Sequence, residues 1–425
     1  MSTSPSFDWT SSPLTVVSGN GISESYAYDL RGNRLEQSAS LNGTVLFAEA
    51  LRDMQIADDE NPCPGTASSP DYSSGLFIGR SLSGSGLPPA DQDVWDCYSY
   101  DGASRLIETD RYEQNGSGWQ GVSSYGYGLD GNGNLASIAT SLPSAVLTSP
   151  SLLPAAASSI SSFSRSGSDR IAAASLASGG DLTLSYDQTY GEMTSLAGAS
   201  YSLTLTPDAV LRRPVGQTIT DIASGTTLLS AAIDYEANGL RASRRVSAGS
   251  QGEGSSTTDY WYGGGLDPLV VERDGITYRL IGKLAVEQID ADQTTRSYLF
   301  SDHLGSVRMI ADDRGAVTRS LSYDGDWGQT RIEGETYAAT DNGMASFYRY
   351  QGQEQDIFPL QTLDIDDSAL AGFLDRIGLY HFPLRDYASG LSAFLQTDPI
   401  PTEDSPYRAF AANPVNFTDP SGGIV

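Results

Sequence analysis

Short segments in which apolar and polar residues alternate recur along the chain, and several end at a tyrosine that precedes an acidic residue. The clearest copy runs from Tyr28 and Asp29 to Gly32 and Asn33, and a second alternating segment follows it. Alternation with a period of two indicates a strand with one buried face. Gly and Asn accept the positive φ that a tight turn between two strands requires. The pattern therefore predicts a β-hairpin whose turn follows the tyrosine.

The same order of residues appears again further along the chain, which predicts a repeated hairpin. The further copies are Tyr100-Asp101 with Arg105, Tyr127 with Asp130 and Gly133, Tyr186-Asp187 with Gly191, Tyr235-Glu236 with Gly239, and Tyr323-Asp324 with Gly328. Because one hairpin cannot bury both of its faces, such units stack side by side. We therefore predict an all-β fold of stacked hairpins in one curved or spiral sheet. Loops are expected near 58–92, rich in Pro, Ser, Gly and Asp, and near 137–180, rich in Ala and Ser.

One segment departs from the period of two. Its apolar residues have helical spacing, and they are Leu370, Phe373, Leu374 and Ile377. Asp367 or Ser368 precedes them and can cap the first turn of a helix. The segment predicts a short amphipathic helix packed on the sheet.

Charge excludes several classes of partner. The 425 residues include 25 Lys and Arg against 53 Asp and Glu, which gives a formal net charge of −28. So acidic a surface repels nucleic-acid phosphates and anionic lipids, so neither is expected as a partner. No run of about 18 apolar residues is present, so no membrane span is expected. The N-terminus has neither a basic region nor an apolar core, so no Sec signal peptide is visible.

Cysteine and histidine are scarce, which limits the chemistry available. Cys63 and Cys97 fit no metal-binding pattern, and they are either a disulfide formed outside the cell or two free thiols. His303 and His381 are the only histidines, which excludes a multi-histidine metal site. His303 is interpreted as a structural residue that bonds a neighbouring strand. No metal or cofactor is expected.

Two Asp-Pro steps mark the end of the chain. They are Asp398-Pro399 and Asp419-Pro420, and the second leads into Ser421-Gly422. Together with the tyrosine–aspartate pairs they resemble the Rhs (rearrangement-hotspot) or YD-repeat family. From residue 298 onward the chain is similar to the family's repeat-associated core. The positions that match core motifs are Asp302, His303, Gly305, Gly378, Tyr387, Phe394, Asn413, Pro414 and Gly422.

The resemblance implies an architecture and a function. Residues 1–297 would form part of a cocoon-like β shell, and residues 298–425 its core and plug. The chain is shorter than complete cocoons of the family, so the shell is expected to be partial, small or open, or completed by a second polypeptide. The implied function is the shell and core of a polymorphic toxin or a toxin-complex C-type subunit, which encloses and releases a C-terminal effector. The implied partners are that toxin cargo or a shell-completing subunit, and a secretion-system or immunity protein. The implied location is outside the cell, by secretion or by a specialised delivery system.

In self-cleaving members of the family, two aspartates from the Asp-Pro motifs act as an aspartic-protease pair. The resemblance carries this role to Asp398 and Asp419, with the cut between Gly423 and Ile424. Two carboxyl groups held close together can share one proton, so that one activates water and the other protonates the scissile group. The family's Gly-Arg-Phe motif has Ala393 in place of the arginine, so the sequence predicts that no cation lies near the pair.

Two other interpretations remain. Asp-Pro steps also form turns, because Asp bonds turn amides and Pro fixes φ, so the pair could be purely structural. The whole chain could also be an extracellular recognition or adhesion protein without catalytic activity. Such a protein is expected to expose an apolar or aromatic patch, whereas a cargo shell is expected to have a sequestered interior. No activity on external substrates is expected.

Overall fold

A computed structural model describes most of the chain. The described residues are 6–7, 13–29, 32–53, 62–63, 76–115, 118–141, 160–166, 169–176, 181–249, 254–290, 293–334, 338–340, 343–344, 347–400 and 405–423.

Within these residues, 26 strands form one antiparallel sheet in which each strand pairs with its neighbours in the sequence. The strands are β1 (Ser6–Phe7), β2 (Pro13–Val17), β3 (Ser23–Tyr28), β4 (Arg34–Leu41), β5 (Thr44–Asp53), β6 (Phe77–Ser83), β7 (Val94–Tyr100), β8 (Leu106–Asn115), β9 (Gly118–Leu129), β10 (Leu135–Ser141), β11 (Ile160–Arg165), β12 (Ile171–Leu176), β13 (Asp181–Tyr186), β14 (Met193–Ala197), β15 (Tyr201–Pro207), β16 (Pro214–Asp221), β17 (Thr227–Tyr235), β18 (Arg241–Ala248), β19 (Ser255–Tyr262), β20 (Pro268–Arg273), β21 (Ile276–Ile281), β22 (Ala285–Ile289), β23 (Thr294–Ser301), β24 (Val307–Ala311), β25 (Val317–Asp324) and β26 (Gln329–Ile332).

One turn geometry connects many of these strands. In the first copy, the backbone N–H of Asp29 donates to the carbonyl of Asn33 at 2.9 Å, and the Asp29 carboxylate accepts the N–H of Asn33 at 2.8 Å. The same two bonds recur at Asp101, Asp130, Asp302 and Asp312. An aspartate can therefore close the turn with both its backbone and its side chain. The predicted all-β sheet of stacked hairpins is confirmed.

The two predicted loops were wrong in part. Within 58–92 the chain forms β6, and within 137–180 it forms the end of β10, β11 and β12. Much of each remaining stretch lies outside the described residues. Strands β11 and β12 each present few large apolar residues, such as Phe163 and Ile171, and these are buried. Small residues fill most of the other positions, so the sequence has the composition of a low-complexity loop. The segment is nevertheless β structure, because β11 and β12 pair with each other and with β10 and β13.

The sheet curls so that its beginning covers its end. Ile22 and residues of β4–β7 pack in one apolar cluster with residues of β22–β24. The Asn20 side chain donates to the carbonyl of Asp312 at 3.0 Å, and the Gln37 side chain donates to the carbonyl of Ser301 at 2.7 Å. All five residues of β24 are buried. Among the described residues no ladder joins β1 to β26, so the hydrogen-bonded sheet is not closed, although side-chain packing joins its two ends.

The described residues of the segment 347–423 (347–400 and 405–423), called the plug here, lie on the inner face of the sheet. It contains a small sheet of β27 (Glu354–Gln355), β28 (Leu379–His381), β29 (Asp386–Ala388) and β30 (Ala393–Phe394). Eight of its aromatic residues share one apolar cluster with residues of β7–β18. The described inner face of those strands is therefore covered by the chain's own C-terminal part. The predicted boundary at 297/298 falls inside β23, and the sheet continues across it to Ile332.

The predicted helix is confirmed as α1 (Ser368–Ile377). Its N-cap is Asp367, whose carboxylate accepts the N–H of Leu370 at 2.9 Å. Gly378 ends the helix in the left-handed conformation with φ +56°. The ring of Phe373 packs against that of Tyr201 at 5.8 Å between centroids, which fixes the helix on the sheet.

Cys63 forms a disulfide with Cys97 on β7, and the two cysteines are 34 positions apart in the sequence. Of the two alternatives open from the sequence, the structure therefore has the disulfide. The helices of the described residues include none with the length and apolarity needed to cross a membrane.

Candidate functional site

The two aspartates of the Asp-Pro steps meet at one arginine. Arg385 lies just before β29 and directs its Nη2 to Asp398 Oδ2 at 3.0 Å and to Asp419 Oδ2 at 3.4 Å. Its Nη1 donates to the carbonyl of Pro406 at 3.0 Å, and its Nε donates to the carbonyl of Gly422. The guanidinium is stacked 3.7 Å from the centre of the Phe394 ring. One buried cation therefore joins both carboxylates to the C-terminal tail.

The sequence-based prediction that no cation lies near the pair was wrong. The family's motif would place an arginine at position 393, and Ala393 stands there, but Arg385 reaches the site from an adjacent strand. Tyr387 pairs with Phe394 across β29 and β30, and this pairing brings the residue before β29 alongside the Phe394 ring. The signal was present as Arg385-Asp386-Tyr387, yet only the strand pairing shows which ring the arginine covers.

Asp419 closes a turn around the tail. Its Oδ1 accepts the backbone N–H of Gly422 at 2.7 Å, of Gly423 at 3.1 Å and of Ser421 at 3.2 Å. The residue is fully buried. Because its other oxygen faces Arg385, both oxygens of Asp419 are engaged as acceptors. Asp419 therefore fixes the position of the tail.

Asp398 is more available. Its Oδ1 accepts the N–H of Ile400 at 2.8 Å, and its backbone N–H donates to the carbonyl of Pro406 at 3.0 Å. Partial burial raises the pKa of the Asp398 carboxyl, against the opposing effect of Arg385. A carboxyl with a raised pKa exchanges its proton closer to neutral pH than an ordinary aspartate, which suits a general acid or base.

The predicted cleavage position lies beside Asp398. A side chain added at Gly423 would meet Leu384 at 2.9 Å, Ile400 at 3.6 Å and Pro399 at 3.7 Å, so Gly423 packs against the Asp398-Pro399 step. Ile424, the predicted residue after the cut, lies outside the described residues. The structure thus brings the carboxylate pair and the residue before the predicted cut together.

The other residues of the predicted site are distributed over the molecule. Tyr28, Asp29, Gly32 and Asn33 lie at the turn between β3 and β4, far in sequence from the pair. The side chain of His303 is largely buried, with its Nδ1 2.9 Å from Glu49 Oε1 on β5 and its Nε2 2.9 Å from the carbonyl of Val415. These contacts connect a sheet turn to the plug and leave the histidine away from Asp398 and Asp419.

The remaining motif residues build turns and packing. Asp302 and Gly305 form the turn before β24. Burial acts to raise the pKa of Asp302, but the nearby arginines, Arg308 more than Arg80, lower it below the ordinary value. Asn413 is fully buried and its side chain donates to the carbonyl of Ser104 at 2.8 Å. Pro414 is buried beside it, whereas Pro399 and Pro420 are exposed.

Comparisons with known proteins place no family name on the chain. No protein-family model matches the sequence, and no curated protein matches it. Matching solved structures include TcdB2-TccC3-TEV, with 17% identity and a TM-score of 0.43 over 98% of this chain and 21% of that chain. A Photorhabdus luminescens Tc holotoxin pore has 16% identity and a TM-score of 0.39 over 98% of this chain and 21% of that chain. The chain therefore spans about a fifth of the length of these two matching chains.

Proposed function

We propose that this chain is a wall segment and plug of an Rhs-type toxin shell, and that the plug cuts the chain after Gly423 to release a C-terminal effector. The observation that carries the proposal is the convergence of Asp398 and Asp419 on Arg385 beside the tail. A turn needs only an aspartate and backbone amides. The buried arginine between two carboxylates is an addition that turn formation does not require.

The geometry supports a division of roles. Asp419 and Arg385 hold the tail through the amides of 421–423 and the carbonyl of Gly422. Asp398, as a carboxylate, takes a proton from a water that attacks the carbonyl carbon of Gly423. As the C–N bond breaks, Asp398 returns that proton to the departing nitrogen of Ile424, which leaves a carboxylic acid on Gly423 and a neutral amine; the acid then loses its remaining proton to the amine, giving a carboxylate and an ammonium group. Proton uptake and return by one group keep the step balanced.

Enclosure of cargo is proposed to need more chain than this one. Among the described residues the first and last strands of the sheet each pair along one edge only, and the inner face at β7–β18 is covered by the plug. A shell-completing subunit or further chain pairing with these strands would supply the remaining wall. The Cys63–Cys97 disulfide supports delivery to an oxidising environment outside the cytosol.

The test is the intact mass of the full chain with an inert reporter fused after Val425. We expect the unmodified fusion to release the reporter at Gly423, and Asp398→Asn and Asp419→Asn to remain whole. Asp221→Asn is the matched control, because Asp221 caps the exposed turn between β16 and β17 through Ser224 and none of the described bonds of its side chain reaches the plug. If the unmodified, folded fusion stays whole, self-cleavage is rejected and the Asp-Pro steps are turns.

The recognition function is the second candidate, and one observation favours it. Large apolar side chains are exposed around the turns that flank β19–β22, namely Trp261, Leu266, Leu269, Ile281 and Leu284. Leu284 is 70% exposed, and apolar side chains that are exposed as a group mark a surface for protein–protein contact. A folded fusion that stays whole would make this patch, rather than the plug, the functional surface.

A further inference from the structure

The loop that carries Asp398 is held at both ends by one turn of the sheet. That turn joins β13 to β14 and contains Gly191 and Glu192. At one end, the Glu192 carboxylate accepts the hydroxyl of Thr397 at 3.1 Å and its N–H at 3.3 Å. At the other end, the carbonyl of Gly191 accepts the hydroxyl of Tyr407 at 2.7 Å. Since Thr397 directly precedes Asp398, the sheet contacts the residue next to the proposed base.

Glu192 is built into the sheet as a buried charge. It is 2% exposed, and its carboxylate pairs with Nη2 of Arg212 at 2.6 Å. Arg212 comes from the turn between β15 and β16, and the same Nη2 donates to the Thr397 hydroxyl. The backbone of Arg212 is left-handed, with φ +59°, and its side chain also donates to the carbonyl of Tyr190 at 3.1 Å. Two separate turns of the sheet therefore converge on Thr397.

A backbone contact strengthens the same junction. The N–H of Met193 donates to the carbonyl of Leu395 at 3.1 Å, two residues before Thr397. The loop itself is closed by the bond from the Asp398 N–H to the Pro406 carbonyl. Asp398 consequently has its position set by contacts that exist only when the plug is docked on β13–β16.

We propose that Glu192 is a positioning residue that holds Asp398 through Thr397, so that self-cleavage occurs only after the plug has docked on the sheet. The inference rests on the proposed function. Glu192 lies outside the Asp-Pro motifs, 205 positions from Thr397 in the sequence, and only folding brings the two residues together. The consequence is an order of events in which the wall assembles first and the cut follows.

The pH dependence of the cut reports this role. Burial raises the pKa of Glu192, opposed by Arg212 and Thr397. The titratable or charged groups around it are Arg212, Tyr407, Arg170 and Asp187. The ionised carboxylate accepts from Arg212 and from both the N–H and the hydroxyl of Thr397, whereas protonation places a donor on one oxygen and weakens this set of bonds. If Glu192 and Asp398 must both be ionised, the logarithm of the rate falls on the acid side with a slope approaching two.

The experiment follows reporter release against pH in the full-length fusion and in Glu192→Gln. We expect release to be about tenfold to a hundredfold slower in the variant, because the base is misplaced, and the acid-side slope to approach one. Glu236→Gln is the matched control, since Glu236 occupies the corresponding turn between β17 and β18 and its side chain bonds only its own turn residue Asn238 among the described contacts. Amide hydrogen exchange of residues 395–400 is measured on the same samples.

The outcomes separate the two proposals. A variant that releases the reporter at the rate and slope of the unmodified chain overturns the role of Glu192 and leaves the proposed function intact. If the unmodified chain releases nothing, the proposed function fails, and exchange decides the positioning claim. Faster exchange at 395–400 in Glu192→Gln but not in Glu236→Gln then supports the claim, and equal exchange overturns it.

Discussion

Arg385 shows how one side chain can define a site that two motifs only suggest. Its guanidinium contacts two carboxylates, two backbone carbonyls and an aromatic ring, and its side chain is 1% exposed. A planar group with five donors suits this set of partners, whereas an ammonium is a single point charge. The guanidinium contacts the carbonyl of Gly422 and both aspartates at once. Shape as well as charge is therefore required at position 385.

Arg385→Lys is expected to keep the charge and lose the geometry. We expect the free energy of unfolding to fall by about 2 kcal/mol, because several charged hydrogen bonds are lost while both carboxylates stay paired with a cation. Release of a fused reporter is expected to slow at the same time. Urea unfolding and intact mass measure the two effects, with Arg331→Lys, on the last strand of the sheet, as a control. Unchanged stability and release would show that charge alone is sufficient.

At the scale of elements, the recurring turn explains why so irregular a repeat gives so regular a sheet. The turn before β24 closes through both the backbone and the carboxylate of Asp302, and it places Gly305 at φ +84°. Residues with a Cβ are disfavoured there, although Ser104 occupies the equivalent position in another copy at φ +64°. The turn therefore tolerates exceptions at both positions, since Glu236 takes the place of the aspartate in the turn between β17 and β18.

Gly305→Ala tests how much the backbone conformation contributes. An added Cβ would meet nothing closer than 3.8 Å, so the effect comes from the left-handed φ rather than from a clash. We expect a loss of about 1 to 2 kcal/mol in unfolding free energy. Gly102→Ala is the control, because Gly102 lies in a turn of the same family with open space around it and no positive φ. Equal stability of the two variants would contradict the argument.

Elements set by local patterns could be predicted, and contacts set by distant partners could not. Alternation and turn residues predicted the hairpins, and helical spacing with Asp367 predicted α1. Strands β11 and β12 were missed because small residues leave no alternation to detect. Arg385 and Glu192 were missed for another reason. Each acts through a neighbour that only the folded sheet brings near, and the sequence holds no periodic signal of that contact.

At the scale of the whole molecule, the plug is attached to the sheet by buried ion pairs as well as by aromatic packing. Arg241 on β18 is completely buried, and its Nη1 lies 2.6 Å from Asp356 Oδ1 in the plug. Glu354 lies 3.6 Å from the same nitrogen. The arginine lowers the pKa of Asp356 against the effect of burial. The plug therefore depends on charges that neither part could bury alone.

Removal of one partner should detach the plug more than it disturbs the sheet. Arg241→Met leaves two buried carboxylates without their main cation, and a loss of about 3 to 5 kcal/mol is expected. Arg245→Met, four positions along the same strand, is the control, because that side chain is exposed and bonds only Ser255 among the described contacts. Hydrogen exchange should rise across 347–423 in the first variant and remain unchanged at the hairpins of β3–β5. Equal hydrogen exchange of the plug in both variants would show that aromatic packing alone holds the plug on the sheet.

The same ion pair predicts a pH dependence of stability. Because the pKa of Asp356 is lowered, the contribution of the pair to the free energy of unfolding is present at neutral pH and is lost as the pH falls through the ordinary aspartate range and below. The two variants should therefore converge in stability with the unmodified chain in strong acid.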